Sequence, residues 1–133
     1  MTEGLCALTA KEAVARLRAG EVTAAELVEA SIARIEEVDP KVNALPIPCF
    51  DRARDMARKL RPEDHADNPK SLCGLPIAVK DYNDVGGVRT TYGSPIFAQS
   101  VAAQSDATVR QLERNGEIPM AKSNVPEWAG GNT

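Results

Sequence analysis

Apolar residues recur at helical spacing twice before Pro40. Leu8, Val14 and Leu17 mark one face, and Leu27, Val28, Ile32, Ile35 and Val38 mark another. Each stretch opens with a hydroxyl and a carboxylate three residues apart, Thr9 with Glu12 and Thr23 with Glu26. That pairing satisfies the free N–H groups at a helix start. Gly20 stops the first helix, and Pro40 stops the second after Asp39. The pattern predicts helices of about 11 and 16 residues joined by a short turn. Neither helix buries its stripe alone, so the pair must pack on something else.

Residues 42–50 form an apolar run interrupted by Pro46 and Pro48, which predicts a short edge strand, because proline cannot donate to a central ladder. A polar helix follows over 51–60, then a loop over 61–71 rich in Pro, Asp, Asn and Ser. The character changes near Leu72. Leu75–Val79 is continuously apolar, the mark of a strand buried on both faces. Residues 82–87, Tyr-Asn-Asp-Val-Gly-Gly, carry turn chemistry. An irregular segment follows over 90–97. Asp106 caps a predicted helix to about Asn115, with Val109 and Leu112 facing inward and Gly116 ending it. Ile118–Ala121 reads as a strand despite Pro119. Strand, loop, helix and strand in this order predict an α/β unit with parallel pairing.

Composition adds limits. The 133 residues are 43% hydrophobic but only 4% aromatic, so the core must come from aliphatic side chains. The net charge of −3 lacks the basic footprint of a nucleic-acid binder. Arg52, Arg54, Arg58, Lys59 and Arg61 are interrupted by Asp51 and Asp55 and read as a solvated helix face. No apolar run approaches the ~20 residues of a membrane span, so no membrane partner is expected. The opening Met-Thr-Glu-Gly has no basic segment followed by an apolar one, so no signal peptide is expected. Cys6, Cys49 and Cys73 form no CxxC pair and read as small buried thiols of a reducing, cytoplasmic protein. His65, the single histidine, sits in a proline-bounded polar loop and reads as solvated. One histidine and scattered cysteines make no zinc pattern, and no metal or organic cofactor is implied.

Lys80 stands out chemically. It ends the most apolar strand, at the edge where α/β sheets place their sites. Desolvation there would lower its pKa and let it act as a base. Position alone favours a strand-end lysine reaching water. Asp81 and Asp84 fit a metal pair, a lysine partner or, most simply, turn-shaping residues. There is no phosphate-binding glycine pattern and no G-x-S-x-G elbow.

Several segments resemble the amidase signature family. Residues 74–81, Gly-Leu-Pro-Ile-Ala-Val-Lys-Asp, resemble its lysine-bearing strand. Residues 87–94, Gly-Val-Arg-Thr-Thr-Tyr-Gly-Ser, resemble the segment that follows. Residues 105–109 resemble the start of the next helix, and 121–128, Ala-Lys-Ser-Asn-Val-Pro-Glu-Trp, its Gly-Lys-Thr-Asn-x-x-Glu-Phe/Trp stretch. The order of the motifs matches as well. Glu117, where a small apolar residue is usual, and Ala121, in place of glycine, are local departures.

The resemblance implies one amidase domain whose N-terminal part fills 1–133. In it, 1–41 is the helical pair, 42–73 a strand, helix and loop, and 74–133 the start of the core. The implied fold is the incomplete beginning of an α/β/α sandwich with a mixed central sheet. The implied activity is hydrolysis of a small carboxamide by a Ser–cis-Ser–Lys triad, with Lys80 as the base. Gly130, Gly131, Asn132 and Thr133 are expected to line the cleft. The family's two serines lie downstream of the Glu-Trp motif, and none of the serines here matches them. The chain alone is therefore expected to be inactive, and poorly stable with an open sheet edge. Three alternatives accompany this reading: the A-type subunit of a tRNA-dependent amidotransferase, a non-enzymatic interaction module, and a split enzyme whose serines come from another chain. Homodimers are frequent in the family, so a second copy is a candidate partner.

Overall fold

The computed structural model describes residues 4–131. Two helices open it, α1 (Ala10–Ala19) and α2 (Ala24–Val42), and both begin with the expected capping boxes. In each, the threonine hydroxyl accepts from the glutamate N–H while the carboxylate accepts from the threonine N–H. Leu27, Val28 and Ile32 are buried, as their spacing requires.

Pro40 does not end α2. The helix continues to Val42 and closes on Asn43 in the left-handed region, φ 52°. Pro40 falls in the last turn, so its missing N–H affects only the end of the helix. Asp39 holds the chain that leaves it: its C=O accepts from Asn43 N–H at 2.6 Å, and its carboxylate accepts from Ala44 N–H at 2.7 Å.

The predicted edge strand shrinks to β1 (Ile47–Pro48), followed directly by α3 (Phe50–Lys59). The basic face of α3 is only partly solvated. Arg54 makes a two-pronged pair with Glu29 of α2, at 2.7 and 3.0 Å, and Arg52 reaches Glu113 at 2.6 Å. A single turn, α4 (Glu63–Ala66), lies within the predicted loop. Next come β2 (Pro76–Lys80), α5 (Ala107–Arg114) and β3 (Ile118–Ser123). Asp106 is the N-cap residue of α5, as expected, but its side chain makes no capping bond. Its carboxylate accepts instead from Asp84 N–H and the Asn83 side chain.

The sheet is mixed, in the order β1-β3-β2. β2 and β3 run parallel through the α5 crossover, as expected, and β1 is antiparallel to β3. Pro119 lies in the central strand, where its missing donor is costly. The ladder accommodates it with a shift: Ile77 pairs with Pro119, but Ala78 pairs with Ala121, leaving Met120 as the extra residue of a bulge. β2 is not buried on both faces. Val79 is buried under Val85, Val88 and Val109, but Ala78 and Lys80, which point to the opposite face, are exposed.

Two apolar clusters flank the sheet. One joins α1, α2 and α3 to Ile118 and Met120. The other joins Ile47, Val79, Val85, Val88 and Val109. Helices thus pack on one face while α5 and the 85–88 loop pack on the other, an α/β layering. Among the described residues no helix is long and apolar enough to cross a membrane. The three cysteines are unpaired; Cys73 is buried, but Cys6 is exposed.

Candidate active site

Both parallel strands end at the same edge, where Lys80 is in register with Ser123. Beyond it, the chain turns at once, with Asn83 N–H donating to Lys80 C=O at 2.9 Å. The loop after β2 and the loop after β3 then meet. Trp128 N–H donates to Tyr92 C=O at 2.8 Å, and the Ser94 hydroxyl donates to Glu127 Oε1 at 2.8 Å. Phe97 packs edge-on against both Tyr92 and Trp128. Gly93 permits this approach. Its φ is 68°, and a Cβ there would lie 2.7 and 2.8 Å from the carbonyl oxygens of Val125 and Pro126. The motif segments that are separate in sequence are therefore one structural unit.

Lys80 stands at the carboxyl edge, where its sequence position put it, but its side chain is exposed rather than desolvated. No described element covers that end of the edge strand. Gly130 and Gly131 are exposed at the end of the second loop, and Asn132 and Thr133 lie outside the described residues. A depression of about 330 Å³ lies beside the loops, with Asp81, Arg89, Thr91, Ser94 and Asn124 in its wall. Lys80 and Gly130 are not part of that wall.

Asp81 is a lysine partner, but of Lys122. Lys122 has no solvent exposure, and its Nζ donates to Asp81 Oδ1 at 3.1 Å and to Thr90 Oγ1 at 2.9 Å. Burial pulls its pKa below the ordinary lysine range, while the Asp81 carboxylate opposes that shift. The sequence carries a signal for this pair: a lysine inside an apolar strand must find a counter-charge, and Asp81 directly follows the neighbouring one. Asp84 shapes its turn, accepting from the Tyr92 hydroxyl at 2.6 Å, and that bond pushes the Tyr92 pKa up to about 12. Among the described residues no group of three or more potential metal ligands assembles.

His65 is not a free loop residue. Its Nδ1 lies 2.7 Å from the hydroxyl of Ser71, which is 1% exposed. The same hydroxyl reaches Asn115 C=O at 3.1 Å and accepts from Cys73 N–H. Arg18 donates to the carbonyls of Asn68 and Ser71. The 61–73 loop is thereby tied to α1 and to the turn between α5 and β3.

This geometry is that of an α/β core with two interlocked loops at the carboxyl edge of a parallel pair. The family model for Amidase matches residues 26–133, and the chain belongs to that family. The A-type subunit of a glutamyl-tRNA(Gln) amidotransferase from Anaeromyxobacter dehalogenans is 38% identical over 97% of this chain and 26% of its own length. A protein of Mycobacterium bovis that carries the amidase name AmiB2 is 41% identical over 81% of this chain and 23% of its own. Among solved structures, an amidase family protein from Bacillus anthracis superposes with a TM-score of 0.79 at 28% identity, covering 96% of this chain and 26% of that one. A chain from an inhibitor-bound vestigial complex, described as revealing the origins of an s-triazine catabolic enzyme, gives 0.86 at 29%, covering 95% and 28%. The chain thus spans about a quarter of the length of the curated relatives it matches.

Proposed function

We propose that these residues form the base-bearing section of a carboxamide hydrolase, with Lys80 as the catalytic base. The observation that carries this reading is the position of Lys80 at the carboxyl edge, beside two interlocked loops that hold the family motifs. In the proposed reaction, Lys80 accepts a proton through a bridging cis-serine from a nucleophilic serine. The serine oxygen adds to the amide carbonyl. The C–N bond breaks, the proton goes to the leaving nitrogen, and water then releases the acyl group as a carboxylic acid. In this reading neither serine is among those of the 133 residues, and these residues by themselves are expected not to turn over amides. Gly130 to Thr133 border the completed cleft. The substrate class is a small carboxamide, the assembly a homodimer, and the three unpaired cysteines fit a reducing cytoplasm.

The test uses the polypeptide encoded by the complete reading frame that contains this sequence. Its hydrolysis of a panel of aliphatic and aryl amides is assayed, with hydroxylamine to trap an acyl-enzyme. Loss of turnover in Lys80→Ala is expected; full turnover in that variant overturns the assignment. The amidotransferase alternative is favoured by the 38% identity to an A-type amidotransferase chain over nearly the whole sequence. It predicts turnover that requires partner proteins and charged tRNA.

A further inference from the structure

Asp81 follows Lys80 directly, and every polar group it has is committed. Its N–H donates to Ser123 C=O at 3.0 Å, and its C=O accepts from Tyr92 N–H at 3.0 Å. Its carboxylate accepts from the N–H and hydroxyl of Thr91 and from Lys122 Nζ. Lys122 in turn holds Thr90. Asp81, Thr90 and Lys122 are all buried, and Lys122 is the largest fully buried side chain described.

A buried ion pair is weak evidence of a stabilising role, since removing two charges from water offsets much of their attraction, and an apolar pair of the same shape often matches it. What an apolar pair cannot supply is direction. The Lys122 ammonium is placed between the end of β2 and the returning loop, and it attaches each to β3. We infer that Lys122 is a positioning residue: acting through Asp81 and Thr90, it fixes the backbone that presents Lys80 and locks the 90–92 segment against it. The inference rests on the reading of Lys80 as the base, but its structural half stands apart from catalysis.

The experiment uses the same complete polypeptide. In the double variant Lys122→Met with Asp81→Asn, no buried charge is left alone, and the carboxamide oxygen introduced by the second change can still accept from Thr91. The milder Thr90→Val keeps the ion pair and removes only the second anchor. Amide hydrogen exchange is followed in residues 80–84 and 90–93 and compared with α1 and α2. In the double variant, exchange at 80–84 and 90–93 is expected to rise about tenfold while the two helices stay unchanged. Amide turnover should lose kcat by about tenfold, with KM held within about twofold. Thr90→Val should show the same pattern at smaller size. Exchange at 80–84 that matches the parent in both variants overturns the inference. So does exchange that rises equally in α1 and α2, which marks Lys122 as a general stabiliser. If Lys80→Ala keeps full turnover, the base assignment fails, and the exchange comparison still decides the role of Lys122.

Discussion

The indole of Trp128 lies flat over the phenol ring of Tyr92, with centroids 5.6 Å apart and planes 7° from parallel. One ring belongs to the loop after β2 and the other to the loop after β3, so the stack joins the two ends of the parallel pair. Trp128 remains 57% exposed, so the contact contributes through Tyr92 as a platform more than through burial. Tyr92→Ala removes the platform and the bond to Asp84, and should cost about 2 kcal/mol in urea unfolding. Trp128 is the only tryptophan of the 133 residues, so the fluorescence of this chain reports the loop directly. Its emission should shift to the red in the native state of Tyr92→Ala, while Tyr92→Phe keeps the parent emission.

Gly93→Ala meets two obstacles at once. The residue sits in the left-handed region, and the new methyl would press on two carbonyl oxygens that belong to a backbone rather than to a flexible side chain. A loss of about 2 kcal/mol or more is expected from strain and displacement together. Gly87→Ala is the control: it also has a positive φ, of 75°, but no atom within 4 Å of the added carbon. It should cost about 1 kcal/mol, the conformational part alone. Equal losses for the two would mean that the loops do not press together at Gly93.

Ser71→Ala removes a partner from the His65 ring, Asn115 C=O and Cys73 N–H; Asn115 C=O keeps the Leu72 N–H, so the Cys73 N–H carries most of the loss. A buried group left without a partner costs about 1–3 kcal/mol. Limited proteolysis supplies a second readout. Cleavage within 61–70 should accelerate in Ser71→Ala, because the clamp on that loop is gone. Unchanged cleavage would show that Arg18 holds the loop by itself.

Glu117 is 7% exposed, and its Oε2 has no hydrogen-bond partner. Burial raises its pKa above the ordinary carboxylate range. The folded state therefore binds the proton more tightly than the unfolded chain does. Stability from this group is complete below the unfolded pKa and falls as pH rises through the folded one. Glu117→Ala should remove that decline and add about 1 kcal/mol at neutral pH. Urea midpoints of both proteins from about pH 4 to 8, a working range for carboxylates, check the sign. A wild-type midpoint that rises across this window relative to the variant contradicts it.

Local chemistry was the most legible part of the sequence. The capping boxes, the α2 stripe, the parallel pair and the position of Lys80 each follow from residues close together in the chain. What the sequence hid was set by contacts between distant segments. Pro40 reads as a stop, yet the helix runs past it to Val42, and Asp39 then ties down the chain at Ala44. Asp106 reads as a helix cap until Asp84 N–H claims its carboxylate. His65 reads as solvated because Ser71 and Gly116, which enclose it, are parts of other turns. The apolar run ending at Lys80 reads as doubly buried, but burial depends on what packs over each face, and the face that carries Ala78 and Lys80 is open at those residues.

The bulge at Met120 also decides which way two cations point. With it, Lys122 stands opposite Val79, and Lys80 opposite Ser123. Side chains paired across a parallel ladder share a face, so the two lysines project from opposite sides of the sheet. Carried on from Ile77 and Pro119 without the extra residue, the same ladder would set Lys122 opposite Lys80. Two ammonium groups would then stand side by side on one face, and Asp81 would lose its counter-ion. A single residue out of phase, imposed where proline interrupts the strand, keeps one lysine in the interior and leaves the other free at the edge.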